Sequence, residues 1–198
     1  MLEIPRAINT VRAKDAGRGF PEFSKKLLEI VENPIEYDIC IQPYALKLFK
    51  KYIDPYIKAI DYFNADVFCN MSLEGKINEL FNALSDKNVI IVGPEYLTKL
   101  SNRVNFAHIK TPFGTLVQDF DGIEENLLSL LAKTSLDTKD TVLLYSCSFA
   151  AKALIDTVYK KYKTQLTQMD MGSVFDPYCG VFSRGYHRKI GENLKNEL

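Results

Sequence analysis

The chain has 198 residues, enough for one domain with a sizeable core and short for two, so a single domain over 1–198 is expected. Lysine plus arginine equals aspartate plus glutamate at 25 each, which excludes a global field drawing the chain to nucleic acid or membrane and leaves room only for local basic patches. A composition of 46% hydrophobic and 25% charged residues excludes the disordered and fibrous classes. No apolar run approaches the ~20 residues of a membrane span. The start, with Glu3 and Arg6 around Pro5, lacks the apolar core of a signal peptide, so a cytoplasmic protein is expected. Cys40, Cys69, Cys147 and Cys179 are scattered without C-x-x-C spacing, which argues against a zinc site and a disulfide framework.

The first segment, Ile8 to Phe20, is polar and irregular. A short extended piece at Ile8 to Val11 would deliver Arg12, Lys14, Asp15 and Arg18 to a strand end or loop, with a solvated basic turn the alternative. Phe23, Leu27, Leu28 and Val31 fall on one face of a helix over Pro21 to Val31. Leu46 to Phe63 repeats the helical pattern with a break at Asp54-Pro55, predicting two successive helices or one kinked helix. Ala65 to Asn70 reads as a buried strand, and Ser72 as the cap of a helix through Ile77, Leu80, Phe81 and Leu84. Asn88 to Pro94 is the clearest strand, four apolar residues closed by a Gly-Pro breaker, with a short helix to Leu100 after it. Val104 to Ile109 gives a further strand, in which His108 reads as an interior histidine or a site residue. Asp121 and Glu124 have capping-box spacing at the head of a Leu-rich helix through Leu131.

The most informative stretch follows. Thr141 to Tyr145 is a β-rich apolar run ending in Ser146-Cys147-Ser148, after which Ala150, Leu154, Ile155, Val158 and Tyr162 recur at helical spacing. A strand, a tight turn and a helix start form a seat for an anion such as phosphate, with Ser148 as a plain N-cap the alternative. After a short extended run at Leu166 to Met169, Asp170, Gly172, Ser173 and Asp176 fall within seven residues, followed by Tyr178, Ser183, Arg184, His187 and Arg188. Carboxylates accept from sugar hydroxyls, glycines admit a close backbone, and arginine pairs with phosphate, so the mixture suits a polyhydroxyl or phosphorylated ligand. Asp176-Pro177 also reads as a helix N-cap with proline at the first helical position. The alternation of strands and helices predicts a three-layer, Rossmann-like α/β fold, a mostly parallel sheet with helices on both faces.

The D-x-G-S-x-x-D-P-Y segment from Asp170 to Tyr178, followed by Ser183-Arg184-Gly185-Tyr186-His187, resembles the C-terminal part of proteins of the glycosyltransferase-D fold family. These are bacterial and phage proteins long filed as a domain of unknown function, among them enzymes that extend protein-linked glycans from nucleotide sugars. The resemblance covers about the last third of the chain, and the middle in layout. It implies a glycosyltransferase. In that family an Arg-x-Gly-Asp-Gly-Glu segment holds the nucleotide sugar and a divalent metal; Arg12 and Asp15 match it, whereas Lys14 replaces its first glycine and Gly17 its glutamate. The implied donor site is Arg12, Lys14, Asp15, Ser146, Ser148, Gly172, Ser173 and Arg184. Asp15 is the one remaining carboxylate for Mn²⁺ or Mg²⁺. Asp170 or Asp176 would orient the sugar or act as base, with His187 as acid/base. The implied acceptor is a glycan hydroxyl or, in a phage, a modified DNA base, which the neutral net charge disfavours. A non-catalytic nucleotide- or glycan-binding protein or an assembly protein is the reading from another class, favoured by the missing glutamate. The residues are silent on sugar identity and oligomeric state.

Overall fold

A computed structural model describes residues 25, 29–30, 40–41, 63–112, 119–133 and 140–196. By contact density the chain divides into two compact units, Met1–Val67 and Phe68–Leu198. In the first, β1 (Cys40–Ile41) and β2 (Phe63–Asn64) form a two-residue parallel pair, Cys40 opposite Phe63 and Ile41 opposite Asn64. Lys25, Glu29 and Ile30 are helical, as the pattern over Pro21 to Val31 predicts, and Lys25 reaches Glu29 one turn on at 3.9 Å. The helices expected between Leu46 and Ile60 lie outside the described residues; Phe63, at the end of that pattern, is in β2.

The second unit is built on four parallel strands. They are β3 (Asn88–Pro94), β4 (Phe106–Thr111), β5 (Thr141–Tyr145) and β6 (Thr167–Asp170), in the order β4-β3-β5-β6. Every pairing is parallel, with Val92 opposite both Ile109 and Tyr145, and Tyr145 opposite Asp170. Both faces are covered, so β3 and β5 read as near-continuous apolar runs. Val89, Ile91, Val142 and Leu144 point to one face. There they join a core with Ile77 and Phe81 of α2 (Ile77–Ala83), Leu97 and Leu100 of a 3₁₀ helix (Glu95–Asn102), and Phe175. Ile90, Val92, Leu143 and Tyr145 point to the other. That face lies under α3 (Phe120–Lys133) and α4 (Phe149–Tyr162), which bury Leu127, Leu131, Leu154 and Val158. Each fully buried leucine, isoleucine or valine contributes about 1.5–3 kcal/mol, so these two layers hold the unit together.

Three local expectations are corrected. Ala65 to Asn70 is not a strand: Asn64 Oδ1 accepts from the Asp66 amide at 2.8 Å, a turn that starts helix α1 (Val67–Leu73). Val67 is 47% exposed, which a buried strand would not allow. Ser72 caps nothing; it is buried within α1 and its Oγ accepts from the Tyr178 hydroxyl at 3.1 Å, while Lys76 precedes α2 without a side-chain cap. Asp121 lies inside the first turn of α3 instead of capping it, because the helix already begins at Phe120. The strand expected from Val104 runs from Phe106 to Thr111.

Candidate functional site at the sheet switch point

Strand order fixes where a ligand crevice opens. From β3 the chain steps to β4 on one side, then crosses back to β5 and on to β6 on the other, so the winding reverses between β3 and β5. In open parallel sheets that reversal leaves a crevice beyond the carboxyl ends of the two strands. Here those ends are Gly93-Pro94 and Ser146-Cys147-Ser148. The Ser146 amide donates to the Val92 carbonyl at 2.8 Å, extending the ladder one step past β5. Gly93 faces Ser146 at close quarters: a Cβ on Gly93 would lie 3.2 Å from both Ser146 Cβ and Ser146 O.

The β5–α4 turn has two unusual features. Ser146 is 8% exposed and its hydroxyl has no hydrogen-bond partner, a condition that costs about 1–3 kcal/mol for a buried polar group and is found where a ligand completes the set. Ser148 has φ 53° and ψ −130°, a conformation that favours glycine and costs a side-chain residue about 1–3 kcal/mol. Its side chain makes no capping hydrogen bond, so the N-cap reading is corrected; the strain instead turns the chain sharply from β5 into α4. The first amides of a 14-residue helix, with its positive dipole end, therefore open at the switch point.

Beyond β6, Asp170 Oδ1 accepts from the Gly172 amide at 3.0 Å, closing a turn in which Gly172 has φ 54°. Asp170 Oδ2 pairs with Lys152 of α4 at 2.8 Å, both side chains about one-quarter exposed or less at 25% and 22%. Ser173 Oγ meets the Tyr186 hydroxyl at 3.2 Å, and Cys69 Sγ lies 3.3 Å from that same hydroxyl. Burial pushes the Tyr186 phenol well above its ordinary range, so it stays a neutral hydrogen-bonding group.

Asp176 is the hub of a third group. It opens a 3₁₀ turn (Asp176–Cys179), is 4% exposed, and accepts from the Tyr96 hydroxyl on Oδ1 at 2.8 Å and from Ser183 Oγ on Oδ2 at 2.6 Å. Proline does follow at the start of the turn as expected, but the carboxylate binds these distant hydroxyls instead of capping. Burial and the Asp176 carboxylate together hold the Tyr96 phenol far above its ordinary range. His187, on the first turn of α5 (His187–Asn196), is fully buried. Its Nδ1 accepts from the Arg184 amide at 3.2 Å, which puts the proton on Nε2, where no partner stands.

Burial lowers the His187 pKa, the Asp176 charge opposing it, and burial likewise lowers that of His108, whose Nε2 sits 3.0 Å from the Gly93 carbonyl. These are both of the chain's histidines. Each is depressed in the folded state, so the unfolded chain binds more protons just below its ordinary 6.5. Their stability contribution is complete above pH 6.5 and is lost as pH falls from there toward the folded values. Each is expected to add a slope of up to about 1.4 kcal/mol per pH unit. Urea titrations of the wild type and His187→Gln across this range check it; an unchanged slope in the variant would assign the loss to His108 or to carboxylates instead.

The structure thus brings Ser146 and Ser148 to the end of β5, Asp170, Gly172 and Ser173 to the end of β6, and Asp176, Arg184 and His187 to the segment that follows. Arg184 is exposed. Arg12, Lys14 and Asp15 lie outside the described residues. Sequence reasoning quoted Ser183 without a role and missed Tyr96 and Lys152; of these two only Lys152 carried a signal, one helical turn after Ser148. No group of three or more His, Cys, Asp or Glu side chains able to hold a metal stands among the described residues. Asp170 and Asp176 do not fit a divalent cation as they stand, since an ammonium, an amide and two hydroxyls already occupy their oxygens.

Fold and crevice define a Rossmann-like α/β protein, a parallel sheet with helices on both faces. Among solved structures it is similar to one described as showing that the highly conserved domain of unknown function 1792 has a distinct glycosyltransferase fold. The likeness has a TM-score of 0.57 at 15% identity and covers 88% of this chain and 78% of that one, which supports a relationship in fold. No family model matches the chain, and no curated protein matches it.

Proposed function

We propose that this chain is a glycosyltransferase of the glycosyltransferase-D type, moving a sugar from a nucleotide-sugar donor to a hydroxyl of a glycan or similar acceptor. The observation that carries the reading is a glycosyltransferase-like fold with an unsatisfied buried hydroxyl, Ser146 Oγ, at its switch point. The donor diphosphate lies on the β5–α4 turn, taking the first amides of α4 and the Ser146 hydroxyl, with Ser148 and Arg184 beside it. The acceptor oxygen attacks the anomeric carbon, the bond from that carbon to the phosphate oxygen breaks, and the diphosphate leaves with the electron pair. Fixed amides and cations stabilise the charge it gains. Asp170, the more accessible of the two aspartates, takes the acceptor proton, with Gly172 and Ser173 shaping the sugar subsite; the buried Asp176 and His187 position the segment.

A thermal-shift panel of UDP-, GDP-, CMP- and dTDP-sugars tests this on wild type and Asp170→Ala. A donor at about 100 times its dissociation constant is expected to add about 2.7 kcal/mol, a rise of several degrees. Sugar release by the wild type, lost in Asp170→Asn, completes the test. A second reading, a non-catalytic nucleotide- or glycan-binding protein, is favoured by the full occupation of the Asp176 oxygens. Binding without turnover would select it, and no shift with any donor would remove the transferase reading and leave a glycan-binding or assembly protein.

A further inference from the structure

We infer that the outer face around the start of α5 docks on an anionic lipid bilayer. Phe182 is 51% exposed, one of two large apolar side chains in that state among the described residues. It is seated, not loose: a Cβ added to Gly191 would lie 2.5 Å from Phe182 Cε1, so the ring rests on the bare backbone of α5. Arg188 is one helical turn before Gly191 and on the same side, and Arg184 precedes the helix; Lys189, two residues from Gly191, lies on the opposite side. All three cations are exposed, with no salt bridge among the described residues. Glu192 is the one exposed acid on the described turns of this helix. Since the chain as a whole is neutral, two arginines beside an open aromatic ring are a local concentration of positive charge.

A half-exposed ring can enter the headgroup boundary while the arginines beside it meet lipid phosphates. Nucleic acid is disfavoured by a single exposed ring that makes no ring contact among the described residues, and by the absence of net positive charge. With one apolar anchor the attachment is reversible and depends on anionic lipid. It does not rest on the glycosyl-transfer reading, and Arg184, which that reading uses, is left unaltered in the test.

The full chain is sedimented with vesicles of phosphatidylcholine alone and of phosphatidylcholine mixed with phosphatidylglycerol. It is expected to pellet with the mixed vesicles only, and to be released at about 1 M salt, where charges are screened beyond about 3 Å. Arg188→Gln is expected to lower the partition coefficient about 5-fold, the loss of one cationic contact. Phe182→Ser, which leaves every charge in place, is expected to lower it as well and serves if Arg188→Gln does not fold. Thermal midpoints and the donor-induced shift, unchanged in both variants, separate this result from failure of the transfer reading. Absence of pelleting, equal pelleting with neutral vesicles, unaltered binding by the folded variants, or capture of single-stranded DNA in preference to vesicles would overturn the inference.

Discussion

Gly93→Ala is expected to lower stability by about 1–3 kcal/mol and to remove donor binding at the same time, because one added methyl meets both the core and the crevice. The new Cβ would stand 2.5 Å from Leu97 Cδ1, and Leu97 is wholly buried, so its methyl has no open space to turn into. The Ser146 carbonyl at 3.2 Å is backbone and fixed by the ladder. Urea denaturation of Gly93→Ala, Leu97→Ala and the double variant tests the first contact. Trimming Leu97 relieves the clash with Cδ1, so the two costs are expected to combine to less than their sum by about 1 kcal/mol. A Gly93→Ala protein as stable as the wild type, with its donor shift intact, would show that the strand ends are looser than drawn.

The second large effect is expected at Asp176. Alanine there orphans the half-buried Tyr96 hydroxyl and leaves a cavity, while the exposed Ser183 turns to water, so a loss of about 2 kcal/mol is expected. Asparagine keeps one carbonyl oxygen for Tyr96, and the Ser183 hydroxyl can rotate to accept from its amide, so about 1 kcal/mol is expected there. Denaturation of both variants, with turnover measured on whichever stays folded, separates two roles. A folded, active Asp176→Asn makes the residue a positioning carboxylate; a folded but inactive one returns it to the chemistry. Equal damage from both substitutions would mean that negative charge, not hydrogen-bond geometry, is what the hub requires.

Much of the scaffold was readable because its signals are local. Thr141 to Tyr145 and Asn88 to Pro94 are apolar runs closed by turn residues, and both are strands over the expected residues. The helix after Ser148 also follows from its spacing. Ala65 to Asn70 failed because an apolar run of that length suits a strand or a helix equally, and the Asn64–Asp66 turn decided it. The caps read at Ser72 and Asp176 failed for a shared reason. Both residues spend their side chains on tertiary partners, Ser72 on Tyr178 and Asp176 on Tyr96, which lie 106 and 80 residues away and leave no periodic trace. The candidate site divides in the same way. Ser146, Asp170 and Gly172 were legible as polar residues past strand ends, whereas the unsatisfied Ser146 hydroxyl, the strained Ser148 backbone and the Lys152 pairing exist only once the strands are aligned.

The reversed winding also sets an order of assembly. β3 and β4 lie close in the chain and can pair as soon as both have been made, but the other edge of β3 stays open until β5, which begins at Thr141, arrives. An open edge of unpaired amides and carbonyls is the part of a growing sheet most exposed to wrong partners. Closing that edge and creating the crevice are one event here, since the crevice is the gap between the ends of β3 and β5. A half-built sheet therefore has no crevice to fill, and a molecule bound there acts as a receipt for completed folding.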